Sequence, residues 1–131
     1  MLGGGLALFG SDVRVSENTF TANNADYAGG ALVHTSEGTF SQNVLSHNSA
    51  SQRGGGCYIE SGTYELHNNT ISRNRAGDFG GGLRLSQGVT GQLHDNLIQY
   101  NHAVSYGGGL SLDTCAPDIV GNTIDSNTAA N

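Results

Sequence analysis

Residues 69–85 read NTISRNRAGDFGGGLRL, and four other stretches repeat that skeleton at nearly constant distance. Asn18, Asn43, Asn69, Asn96 and Asn122 each precede an apolar residue two places on, a second Asn five places on and an Ala seven places on. The second set is Asn23, Asn48, Asn74, Asn101 and Asn127, and the third is Ala25, Ala50, Ala76, Ala103 and Ala129. Successive first asparagines are 25, 26, 27 and 26 residues apart. A glycine cluster ending at Gly5, Gly30, Gly56, Gly82 or Gly109 opens each unit. Self-similarity with a period of this size is the signature of a solenoid, in which each repeat buries its apolar face only against its neighbours.

Each glycine cluster runs into an alternating triplet: Leu6-Ala7-Leu8, Ala31-Leu32-Val33, Cys57-Tyr58-Ile59, Leu83-Arg84-Leu85 and Leu110-Ser111-Leu112. The first and third positions are always apolar while the middle one varies. In a strand, successive side chains point to opposite faces, so the first and third point inward and the middle one outward. A second strand is expected around Val15, Phe40, Leu66, Leu93 and Ile119, and a third around Phe20, Leu45, Ile71, Ile98 and Ile124. No segment carries the 3.6-residue periodicity of a helix for long enough to form one. The pattern therefore predicts an all-β, right-handed parallel β-helix of five coils of about 25 to 27 residues with three short strands per coil. Residues 1–131 form a single domain on this reading. Because the chain starts inside a glycine cluster and stops two residues after the last repeat alanine, it is expected to be a segment of a longer array.

The recurring polar residues have structural work to do in such a stack. Asparagine tolerates a left-handed turn and carries a donor and an acceptor on one amide, so stacked copies should form hydrogen-bonded ladders through the turns. Asn69 and Asn74 are expected to be costly to truncate, and Asn68, outside the ladders, is expected to tolerate alanine. Cys57 and Cys115 fall two coils apart, roughly 10 Å along the axis at about 4.8 Å per coil, too far for a disulfide. Two free thiols are predicted.

Composition narrows the partners. The chain has five arginines, no lysine and a formal charge of −6, which gives nucleic acid no basic patch to bind. It has no apolar run of the length a membrane helix needs and no leader-like amino end, so this segment is not expected to insert into a membrane. No metal site and no cofactor is expected either. His67 and His94 share a repeat position in adjacent coils, with Glu65 and Asp118 nearby, but stacked surface histidines are the more economical account. A column of outward hydroxyls at Thr19, Thr21, Ser46, Thr70, Ser72 and Thr123 is broken by Val44, Leu97, Gln99 and Asp125, which spoils it as a flat ice-binding face.

The units NNTISRNRA and GGGLRL at residues 68–85 resemble the right-handed parallel β-helix repeats of bacterial secreted and surface proteins, within the wider pectate-lyase-like fold. Phe20-Thr21-Ala22-Asn23 and Gly29-Gly30-Ala31-Leu32 are also similar to repeats of the chlamydial polymorphic membrane proteins. The resemblance implies an extracellular or cell-surface setting, as a structural or binding segment of an adhesin-like protein. It also implies a rival function, a polysaccharide lyase or glycoside hydrolase with its site on the outer face of the first strands. The outward residues there gather His34, Tyr58, Glu60, Arg84 and Asp113, which we take as the candidate ligand-binding patch. An aromatic ring flanked by hydrogen-bonding groups suits a sugar, so the expected partner is an extracellular glycan or a host or neighbouring cell surface. The patch lacks the aspartate clusters of a pectinase, and no serine is singled out as a nucleophile, so no catalytic residue is assigned.

Overall fold

A computed structural model describes residues 1–131, apart from the side chains of Thr35 and Ser36. The chain winds five coils that stack through parallel strand pairs, with no helix in the described residues. The first sheet contains Leu6–Phe9, Ala31–Ser41, Cys57–His67, Leu83–Ser86 and Leu110–Asp113, and takes in Val13–Ser16, Thr90–His94 and Asp118–Val120 at its side. The second runs through Thr19–Thr21, Val44–Ser46, Thr70–Ser72, Leu97–Gln99 and Thr123–Asp125. The third is made of the two-residue strands Asn24–Ala25, Ser49–Ala50, Arg75–Ala76, His102–Ala103 and Thr128–Ala129. Leu6, Ala31, Cys57, Leu83 and Leu110 lie side by side across the first sheet, the register that aligning the glycine clusters requires.

Three sheets per turn match the expectation, though the strands divide among them differently. The first two strand sets belong to one continuous sheet, and in coils two and three they join into single strands of 11 residues. Coils one, four and five break between them, where Gly10, the pair Gln87-Gly88 and Thr114 take positive φ and Pro117 cannot donate to a ladder. The repeat alanines, a recurring set to which the sequence assigns no strand, themselves pair as the third sheet.

Inward side chains stack into one apolar core. Leu45, Ile59, Ile71, Leu83, Leu85, Leu93 and Ile98 are fully buried in it. At roughly 1.5 to 3 kcal/mol for each large apolar side chain, coils two to four are where stability concentrates. The inward residues of coil five, Leu112, Ile119 and Ile124, have a neighbouring coil on one side and remain partly exposed.

Both asparagine columns form ladders across all five coils. Each backbone N–H and each side-chain Nδ2 donates to the Oδ1 of the asparagine one coil on, at 3.0 and 3.2 Å for Asn43 to Asn69 and at 2.9 and 3.0 Å for Asn48 to Asn74. The same Nδ2 also donates to a carbonyl of the preceding coil: Val15 for Asn43, Phe40 for Asn69, Leu45 for Asn74 and Ile71 for Asn101. The amide thus closes the turn of one coil onto the next, which is how a buried polar group is kept satisfied.

The left-handed turn falls one residue earlier than the asparagine pattern implies. The left-handed backbone belongs to the residue before each ladder asparagine, not to the asparagine itself: Glu17, Gln42, Asn68 and Asp95 in the first column, Ala22, His47, Arg73, Tyr100 and Ser126 in the second, all with φ between 53° and 61°, with Gly121 completing the first column at φ 66°. Asn68 itself holds one of these turns at φ 55°, a conformation that Ala22 adopts at the corresponding place before Asn23.

The two cysteines are free. Burial pushes the Cys57 thiol up to about 12, while Cys115 is partly exposed with its thiol directed at the Leu85 carbonyl, 3.6 Å away. A thiol reagent at pH 8 is expected to label one equivalent in the native protein and two in denaturant, since only the thiolate reacts. Two equivalents in the native protein would mean that the third coil is not packed as described.

Candidate functional site

The outer face of the first sheet carries three columns of side chains. Strand pairing puts Ala7, Leu32, Tyr58, Arg84 and Ser111 in one register and Phe9, His34, Glu60, Ser86 and Asp113 in another, two residues further along each strand. The third column was missed in the sequence. It consists of the residue three places before the last glycine of each cluster: Leu2, Tyr27, Arg53, Phe79 and Tyr106. Bridges join Arg53 to Phe79 and Phe79 to Tyr106, and the last two rings stack at 5.9 Å with 10° between their planes. The signal was available, because all five residues are large and occupy one position of the repeat.

These columns make a groove rather than a flat patch. The residues before the glycines form one wall, the column from Phe9 to Asp113 forms the other, and the middle residues form the floor. The floor is covered more than an outward position predicts: Leu32, Tyr58 and Arg84 are 4%, 3% and 5% exposed. Tyr27 packs with Ala28, Leu32 and Tyr58 in a small apolar cluster outside the main core, and the Phe79 ring lies 4.9 Å from the Arg84 guanidinium. Tyr58 and Arg84 are therefore supporting residues beneath the walls, not members of a solvated face.

The five predicted residues gather into two groups. In the first, Glu60 receives a hydrogen bond from the Tyr58 hydroxyl at 2.9 Å, pairs with His34 Nδ1 at 2.8 Å and is reached by the Gln87 amide. Tyr58 also meets the Ser86 hydroxyl at 3.0 Å, and as its own proton goes to Glu60, Ser86 is the donor there. In the second group, Arg84 donates to Ser111 at 2.9 Å and to Asp113 at 2.8 Å. A cavity of about 380 Å³ lies over coils one to three between Phe9, Tyr27, His34, Arg53 and Glu60. A second, of about 400 Å³, lies over coils three to five between Arg53, Phe79, Tyr106 and Asp113. Arg53 lines both.

A family model described as a right-handed beta helix region matches residues 1–130. The chain belongs to the right-handed β-helix family. Membership gives the stack its hand and accounts for the ladders, but a fold of this kind hosts many functions, and a ligand has to be argued from the groove. No curated protein and no solved structure matches the chain.

Elsewhere on this right-handed β-helix, His67 and His94 stack face to face at 5.1 Å. The hydrogen bond that His94 Nδ1 donates to the Asp95 carboxylate, at 2.9 Å, together with Glu65 at 3.6 Å, holds His94 above the ordinary histidine range. Asp118 lines a small cavity together with His94 and Asp95. Among the described residues no three His, Cys, Asp or Glu side chains are grouped to hold a metal ion.

Proposed function

We propose that the groove binds a glycan weakly and without turnover, as the recognition face of an extracellular or cell-surface, adhesin-like protein. The observation that carries this is the alternation of rings and polar groups along the groove, with Phe9, Tyr27, Phe79 and Tyr106 on the walls and His34, Arg53, Glu60 and Asp113 between them. An aromatic ring covers the apolar face of a pyranose, and the polar groups meet its hydroxyls. Both cavities are shallow and open, so little of a ligand is buried and affinity stays low. The ladders and core hold each wall residue at a fixed height, roughly 4.8 Å from the next. This suits a linear ligand lying along the axis.

The rival reading, a lyase or hydrolase, draws support from the His34–Glu60 pair, in which a carboxylate orients an imidazole at the edge of the groove. Against it, Glu60 and Asp113 are each engaged as hydrogen-bond acceptors by neighbouring side chains. They also stand two coils apart, about 10 Å along the axis, slightly beyond the ~6.5 to 9.5 Å of an inverting hydrolase.

A glycan array read beside lyase and hydrolase assays on uronate polymers separates the two. Binding without product release is expected. Tyr106→Ala, at a wall position 59% exposed and so of little consequence for folding, should weaken that binding about three- to tenfold. Product release abolished by Glu60→Gln would make the enzyme reading the right one.

A further inference from the structure

We infer that the groove is built for a glycan carrying an anionic substituent, a carboxylate or a sulfate, which lands on Arg53 with sugar units to either side. This rests on the glycan reading above and adds the charge and place of one contact. Two arginines line the groove, and they differ in what they already hold. The Nε of Arg84 is buried without an acceptor, as that of Arg53 is, but both Nη atoms of Arg84 are committed, to Ser111 and Asp113, with Phe79 against the plane. The Arg53 side chain has no hydrogen bond or ion pair among the described residues, and its Nε is buried with no acceptor in reach.

An unpaired guanidinium N–H taken out of water is costly unless a ligand completes it. The planar fork of donors fits two oxygens of one oxyanion, which is the geometry in which arginine outperforms lysine. The surrounding charges leave this role open to Arg53 alone. The two carboxylates on the opposite wall are taken, Glu60 by Tyr58, His34 and Gln87, and Asp113 by Arg84. Arg53 also stands in the third of five coils and borders both cavities. A substituent bound there would leave Tyr27 and Phe9 to receive the chain on one side and the Phe79–Tyr106 stack on the other.

The test uses the full chain and titration calorimetry with two neutral hexasaccharides, one cello- and one dextran-type, each also prepared in carboxymethylated and sulfated form. For at least one backbone, a charged form is expected to bind about tenfold more tightly than its neutral parent, the size of one charge-assisted pair. Whichever charged form gains more identifies the substituent as carboxylate or sulfate. Arg53→Gln should erase the preference and leave neutral binding in place, and Arg53→Lys should retain only part of it. Arg75→Gln, which removes the same charge from an exposed position on the third sheet, should change nothing. Equal binding of neutral and charged forms, or a preference that survives Arg53→Gln in a protein of unchanged melting temperature, would overturn the assignment to Arg53 and leave the glycan reading intact. Neutral binding lost together with charged binding in Arg53→Gln, with the fold unchanged, would make Arg53 a general wall residue and likewise overturn it. If none of the six compounds binds, the glycan reading and this inference fail together.

Discussion

Gly55→Ala is expected to cost more than about 4 kcal/mol, in the range reserved for changes that disrupt a core or a backbone contact, and to leave little folded protein at 37 °C. A Cβ on Gly55 would sit 2.3 Å from the carbonyl oxygen of Gly81 in the next coil and 2.5 Å from the carbonyl group of Arg75 in the third sheet. Both obstacles are backbone, so no change of rotamer relieves the clash. Nor can the coil move aside, because Gly55 N–H is bonded to Gly80 O and Gly56 N–H to Gly81 O and Gly82 O. Each glycine cluster is thus the place where two walls of the stack come closest, and the absence of a side chain is what lets them approach. Gly88→Ala is the control. Gly88 has φ +81°, and a Cβ there would meet no atom within 4 Å, so only the left-handed backbone penalty of about 1 to 2 kcal/mol applies. Urea unfolding of the two variants should differ by several kcal/mol, and matching curves would show that the clusters do not set the spacing of the coils.

The architecture was legible because inward positions of a stacked coil see the same surroundings five times over. Leu, Ile, Val and Phe recur at Leu45, Ile71 and Ile98 or at Phe40, Leu66 and Leu93 for that reason, and the ladder asparagines are invariant along the stack because each amide must satisfy its neighbour's. What the repeat left unread falls on the outside. Period two gives the direction in which Tyr58 and Arg84 point, but not whether anything covers them, and the covering residues come from a different part of the repeat, just before the glycines. That column keeps size and not chemistry, with Leu2, Tyr27, Arg53, Phe79 and Tyr106 in turn, so a search for repeated residue types passes over it. The left-handed turn positions were equally hidden. Glu17, Ala22, Gln42, His47 and Tyr100 share no preference for positive φ, and they hold it because the ladder asparagine and the paired strands on either side fix the chain around them.

The groove and the ladders are consequently coupled through the backbone. Each residue of the wall from Leu2 to Tyr106 precedes a glycine cluster, each cluster leans on a ladder amide, and a Cβ at Gly56 would meet Asn74 Nδ2 at 2.8 Å. Substitutions in the walls are expected to have little effect on the stack, whereas loss of a ladder amide is expected to shift the glycines that position the wall. The proposed recognition surface and the stability of the fold thus fall on different columns of the same repeat.

That division makes Asn74→Ala the second large effect, with an expected loss of about 3 kcal/mol. Asn74 is 1% exposed and its amide makes four hydrogen bonds. Nδ2 donates to Leu45 O at 2.9 Å and to Asn101 Oδ1 at 3.0 Å, and Oδ1 accepts from Asn48 N–H at 2.9 Å and from Asn48 Nδ2 at 3.0 Å. Truncation leaves the Asn48 N–H without a partner in the interior, worth roughly 1 to 3 kcal/mol, removes one of the two bonds to the Leu45 carbonyl, which the paired strand Thr70–Ser72 still holds, and takes away the amide against which Gly56 packs. Asn101 Oδ1 keeps the backbone N–H of residue 74 at 2.9 Å, so the damage runs mainly toward coil two. Asn69→Ala should match it, since Asn69 holds Phe40 O and the Asn43 N–H in the same manner. Asn68→Ala, at an exposed turn with φ 55°, loses an exposed hydrogen bond to His67 Nδ1 and the better tolerance of asparagine for that backbone, about 1 kcal/mol, and alanine already holds the corresponding turn of the second column at Ala22. Thermal melts should therefore rank Asn68→Ala near the parent and the two ladder variants about 10 °C or more below it. If all three melt together, the amides contribute no more than the turn residues beside them, and the stack is held by its apolar columns alone.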